Sequence, residues 1–173
     1  SMTRSFRSLL AAFIVFAAVS AFAQDKAQDK KPGVLTGSDL KMVVPTNYFF
    51  DDLVAPVQAR NAVAIRSKDG KIVTAGLVDT SGYSTDVAQK YQGYLITSKK
   101  ITVGGETLNP GQYGFGFGSD GKFHVMDVAA NDVLSTAFQT DDKLTRPVPF
   151  KAVASGDDYR LYAGKKYVTV SVQ

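Results

Sequence analysis

Apolar and polar positions along this chain alternate in short bursts, the period-two signature of strands that turn one face to a core. Val57 to Arg66 and Lys71 to Val78 are two such bursts. Lys68-Asp69-Gly70-Lys71 between them reads as a hairpin turn in which glycine takes a positive φ. Gln92 to Thr97 and Lys100 to Val103 follow, then a Gly104-Gly105 turn into Glu106-Thr107-Leu108. Leu108 to Val128 reads as a second Asp-Gly hairpin, turning at Asp120-Gly121. Its first strand sets Tyr113, Phe115 and Phe117 on one face and Gly114, Gly116 and Gly118 on the other. A bare glycine stripe is costly in a strand unless a ring, a second sheet or a ligand comes close to the backbone. Asp132 to Thr140, Pro147 to Ser155, Asp158 to Ala163 and Lys166 to Val172 bring the total to about nine or ten short strands.

Two short helices interrupt the strands. Ser38 to Val44 carries a capping serine, an early acid and a terminating Pro45, and Ser84 caps a turn or two up to Lys90. The Tyr48-Phe49-Phe50 cluster is expected to plug one end of a core. No helical pattern is long enough for a crossover between parallel strands, so the fold class is all-β with antiparallel neighbours. Ile72 to Val78 is apolar on both faces and calls for cover on both sides. The glycine stripe permits the curvature that closure needs and favours a barrel-like arrangement, while a sandwich fits the same strands.

The N-terminal pattern differs. Behind Ser1, which reads as a tag remnant, Arg4 and Arg7 precede an apolar run from Leu9 to Val19 and an Ala21-Phe22-Ala23 cleavage site. Residues 1–23 are thus expected to be a signal peptide, 24–34 a disordered polar tether and 35–173 a single β domain. The apolar run is too short for a span and no cysteine follows it to carry a lipid, so the mature protein is expected to be periplasmic or secreted from a bacterium. Loss of Arg4 and Arg7 lowers the formal charge from +4 to about +2, which gives no footprint for nucleic acid. The chain has no cysteine, which excludes disulfides and thiolate metal sites. Its acids are fifteen Asp and the single Glu106, a composition of turns and caps rather than helices.

Candidate chemistry is thin. His124 is the only histidine, and no G-x-S-x-G elbow accompanies it. On a strand it shares a face with Met126 while Asp127 points away, so a rim or structural role is weighed above a ligand contact. The pairs Asp51-Asp52, Asp141-Asp142 and Asp157-Asp158 diverge on an extended chain and lack the spacing of a calcium loop, so they read as solvated turns. The Gly-Phe-Gly-Phe-Gly run has the wrong spacing for a phosphate loop and continues as a strand. No catalytic residue, metal ligand or cofactor is therefore assigned. Eight Tyr and no Trp give rings with hydroxyl handles, suited to the mouth of a ligand cavity and equally to half-exposed strands. Arg160 is placed either to orient an anionic head group or in a rim salt bridge.

The segments Gly82-Tyr83, Tyr91-Gln92-Gly93-Tyr94, Leu108 to Phe115 and Tyr159-Arg160-Leu161-Tyr162-Ala163-Gly164 resemble those of small exported β-rich proteins of acidobacterial type, which have no assigned activity. The L-x-P-G-x-Y piece at Leu108 to Tyr113 is also similar to one in a broader set of secreted bacterial β-proteins. Neither resemblance implies a catalytic residue. The chain departs from lipocalins, which carry G-x-W near the first strand, in having no Trp.

Two functions fit these patterns. The first is a non-enzymatic binder of a small apolar or amphipathic ligand, with contacts from Tyr94, Phe115, Phe117, His124, Met126 and Arg160. The second is an envelope structural or protein-interaction module, in which an edge strand offers a route to a homo-oligomer. An enzyme would require carboxylates from separate strands, or His124 with a carboxylate and a hydroxyl, to converge in one cleft.

Overall fold

The computed structural model describes residues 30–173. The expected signal peptide and residues 24–29 of the expected tether lie outside the described residues; Gly33–Val34, expected within that disordered tether, instead pair with Arg66 and Ile65 as a strand. In chain order the elements are β1 (Gly33–Val34), α1 (Gly37–Val43), β2 (Asn47–Phe50), β3 (Leu53–Arg66), β4 (Ile72–Val78), α2 (Thr85–Lys90), β5 (Gly93–Thr97), β6 (Ile101–Val103) and β7 (Glu106–Leu108). They continue with β8 (Gly111–Phe117), β9 (Lys122–Asp127), β10 (Asp132–Ala137), β11 (Gln139–Thr140), β12 (Lys151–Ser155), β13 (Asp158–Ala163) and β14 (Lys166–Ser171). The strands outnumber the nine or ten expected: β1 is too short to show any period, β2 was expected only as an aromatic plug and β7 only as the exit of a turn, and the strand expected from Asp132 to Thr140 is divided into β10 and β11.

Both Asp-Gly hairpins form. Gly70 and Gly121 sit at φ +81° and +80°, between β3 and β4 and between β8 and β9. The first sheet runs β1-β3-β4-β5-β8-β9-β10, with β2 paired to β3, and the second runs β12-β13-β14-β6-β7, with β11 paired to β14. Every pairing is antiparallel, as the absence of long helical patterns required. The favoured barrel does not form. The sheets face one another as a sandwich whose orders end at β1 and β10 on one side and at β12 and β7 on the other. The chain passes from one sheet to the other between β10 and β11, and a Thr136 hydroxyl donating to the Gly104 carbonyl at 3.2 Å ties the margins there.

Between the sheets lies a core of Phe, Leu, Ile, Val and Ala, with Phe115, Phe117 and Phe123 from the first sheet meeting Phe150, Leu161 and Val168. The outer face of the first sheet carries a second cluster of Tyr48, Phe50, Tyr83, Tyr91, Tyr94 and Met126. It is covered by α2 and by the β2–β3 hairpin, which turns at Asp51 and Asp52 with both residues at positive φ (49° and 64°). Asp tolerates that conformation better than most residues, which explains an aspartate pair at a two-residue turn. The first sheet is thus buried on both faces, and this is what the doubly apolar pattern of β4 foretold. Among the described residues no helix is long and apolar enough to cross a membrane.

The glycine stripe serves close approach rather than closure. A Cβ at Gly114 would meet the Phe50 ring at 2.5 Å and the Tyr91 ring at 3.0 Å, and one at Gly116 would overlap the Lys90 carbonyl oxygen. The bare strand lets the aromatic hairpin and the end of α2 lie directly on β8. A facing ring is what Gly114 admits, whereas Gly116 admits the backbone at the end of α2.

Candidate functional site

The six residues expected to contact a ligand do not form one site. Phe115 and Phe117 are inside the inter-sheet core, where Phe115 stacks on Phe123 and on Phe150 with centroids 5.4 Å apart in each case. Those rings fill the interior. Tyr94 and Met126 are buried on the opposite face of the sheet. The Tyr94 hydroxyl lies 2.8 Å from that of Thr74, which itself donates to the Val63 carbonyl.

Arg160 is on the second sheet, where it donates to the Tyr162 hydroxyl at 3.2 Å, reaches Asp141 at 3.8 Å and lies over the Tyr167 ring. That is the rim salt bridge, and it occupies the guanidinium. The Asp141 carboxyl is held below the usual carboxylate range, first by the Tyr162 hydroxyl that donates to it.

Of the six, His124 and Met126 share an open cleft, of about 330 Å³, with Gln89, Lys90, Asp120 and Asp132. His124 Nε2 sits 2.9 Å from Asp120 Oδ2 across the β8–β9 turn. The Asp120 carboxyl is lowered chiefly by the Lys122 backbone N–H, which donates to it at 3.1 Å. Among the described residues His124 has no hydroxyl hydrogen-bonded to it, so the pair lacks the nucleophile of a relay. Nor do the described residues gather three metal-ligating side chains anywhere.

A different cleft has the character the ligand reading asks for. The register of β3 on β4 jumps from Val57 opposite Val78 to Ala62 opposite Gly76, so Gln58 to Asn61 stand against Leu77 alone. A bulge of this kind re-aims side chains, here turning Ala59 and Arg60 outward. Its own amides brace it: Asn61 Nδ2 donates to Gln58 Oε1 at 2.8 Å, and Gln58 Nε2 donates to the Val78 carbonyl at 3.2 Å. Against the bulge rests α1, which Pro45 ends and the Val57 N–H fastens by donating to the Thr46 carbonyl at 2.9 Å. Between them is a cleft of about 470 Å³ with apolar walls from Leu40, Val44, Pro45, Val57 and Ala59, and with Lys41 and Arg60 at its margin.

None of these cleft residues was singled out from the sequence. The available signal was the polar interruption Gln58-Ala59-Arg60-Asn61 inside an otherwise apolar strand, which marks a bulge. Lys41 and Arg60 are the titratable groups of the cleft, and it contains neither a paired carboxylate nor a histidine. No protein-family model matches the chain, and neither does a curated protein or a solved structure.

Proposed function

We propose that the protein is an exported, non-enzymatic binder of a small apolar or amphipathic molecule, seated in the cleft between α1 and the β3 bulge and not in the core. The observation that carries this reading is the cleft itself: about 470 Å³, walled mainly by aliphatic carbon, open at one side. Small-molecule sites usually occupy roughly 300–1,000 Å³ and combine apolar walls with a few polar groups. The helix adds support. None of the residues of α1 is buried, and a helix of seven residues draws little stability from propensity alone. A guest in the cleft would supply the apolar contact that α1 lacks.

The test is an NMR titration with 1-octanol, a short neutral amphiphile. Amide signals of Leu40, Val44, Val57 and Ala59 should move saturably, and Ala59→Trp, a change at an exposed position, should abolish the response. Shifts absent from these residues, or spread evenly over the surface, would sink the proposal.

A second reading has its own observation. Phe49 and Val54 face each other across the β2–β3 hairpin at 48% and 66% exposure, with Leu53 at 44% beside them. Exposed apolar groups gathered on one hairpin suit a protein-interaction module. Concentration-dependent sedimentation that Phe49→Ser removes would favour it.

A further inference from the structure

Resting on the ligand-binding reading, we infer that the occupant of the α1–β3 cleft is an anion: a free, short-chain aliphatic carboxylate whose head group lies between Lys41 and Arg60. The two cations come from different elements, one from the last turn of α1 and one from the β3 bulge, and meet at the margin of the same apolar cleft. Among the described residues neither has a carboxylate within ion-pair distance. Among the described residues, Arg160 and Lys99 are the only arginine and lysine joined to an aspartate. An unpaired surface lysine is ordinary. Two unpaired cations at the open side of an aliphatic cleft form the pattern that a carboxylate with a hydrocarbon tail complements.

The acids nearby do not interfere. Asp39, the one acid of α1, lines the neighbouring hollow with Lys30, Lys31 and Arg66. Asp51 and Asp52 are at the far turn of the β2–β3 hairpin. Arg60 brings the planar fork that pairs with a carboxylate through two parallel N–H donors, and Lys41 adds a mobile point charge. The bulge is what presents the fork: in regular register Arg60 would be set by the pleat, whereas the Gln58–Asn61 brace fixes it on the cleft side. The volume admits one short chain and no double-tailed lipid.

Paired isothermal titrations of the mature protein with sodium octanoate and with 1-octanol at neutral pH and low salt test this. Octanoate should bind about ten-fold more tightly, equivalent to about 1.4 kcal/mol. Lys41→Gln with Arg60→Gln should weaken octanoate until the two affinities lie within about two-fold of each other, and added salt should erode the octanoate preference of the wild-type protein. Both positions are exposed, so the double variant is expected to fold, with far-UV circular dichroism as the check. Equal affinities in the wild-type protein, or a preference that survives the double substitution, would overturn the anion assignment and leave the cleft as a site for neutral guests. Binding of neither compound would remove the site and this inference with it.

Discussion

The tyrosines of the outer cluster differ in one atom's surroundings, and that difference is measurable. Tyr91 and Tyr94 are both fully buried. The hydroxyl of Tyr94 is satisfied by Thr74, but that of Tyr91 has no hydrogen-bond partner. The neighbouring Tyr83 hydroxyl donates to the Phe50 carbonyl at 2.9 Å and the Leu53 carbonyl at 3.2 Å and makes no hydrogen bond of normal geometry with Tyr91. A buried unsatisfied hydroxyl costs about 1–3 kcal/mol, while a satisfied one contributes about 1 kcal/mol. Tyr91→Phe should therefore stabilise the protein by about 1 kcal/mol and Tyr94→Phe should destabilise it by a similar amount, read as opposite shifts of the urea midpoint at constant slope. A loss of stability in both variants would show that Tyr91 finds a partner in solution. At this scale the composition spoke clearly of rings, but not of which rings would meet. Phe115 and Tyr94 occupy neighbouring strands on opposite faces, and alternation assigns a face without naming what covers it. Arg160 could be read either way until Asp141, nineteen residues away in the chain, was seen beside it.

Elements that end in distinctive local chemistry were legible only in part: Ser38, expected to cap α1, lies inside the helix, and Thr36 at the cap position makes no side-chain cap bond. Ser84 caps α2 as expected, its Oγ accepting from the Val87 N–H, and both Asp-Gly turns lie where glycine's positive φ places them. β1 escaped notice because two residues have no period, and β11 was merged with β10 because nothing in the pattern marks the break at Phe138. The four-residue bulge in β3 escaped because a polar run within a strand does not say which way the strand bends. The glycine stripe stands between these cases: it announced that something comes close, and not what. That closeness makes a sharp test of how α2 docks. A Cβ at Gly116 runs into the Lys90 carbonyl, a backbone atom that cannot swing aside, whereas at Gly82 a Cβ meets open space. Gly116→Ala should cost about 2–4 kcal/mol, in the range of overpacking and strain, while Gly82→Ala stays within about 0.5 kcal/mol. Equal thermal midpoints for the two variants would mean that α2 is free to lift from β8.

Over the whole molecule, sheet order and layering were beyond the pattern, since alternation tells a strand to be covered and leaves open whether by a second sheet, a helix or a hairpin. The answer here is all three, and the layers differ in chemistry. The buried residues between the sheets carry no ionisable group, whereas the cover of the outer face is tyrosine-rich. Burial raises the phenol of Tyr94 from 10.0 to about 12 and pushes those of Tyr48 and Tyr91 higher still. The neutral phenols are thus favoured in the folded state. Below the unfolded value of 10.0 their contribution to stability is fully present, and above it the unfolded chain gives up protons that the folded chain keeps. Stability should accordingly fall as the pH rises from about 10 to 12 and beyond. Because all three phenols lie under the β2–β3 hairpin and α2, alkali should loosen that cover ahead of the sandwich. In a titration with base, tyrosinate absorbance should climb in a late, cooperative step together with loss of the near-ultraviolet dichroism, while the far-ultraviolet strand signal persists to higher pH. Tyr48→Phe, which removes one of these phenols, should move that step upward. A single gradual ionisation of every tyrosine near pH 10, with tertiary signal intact, would show instead that water already reaches the outer cluster.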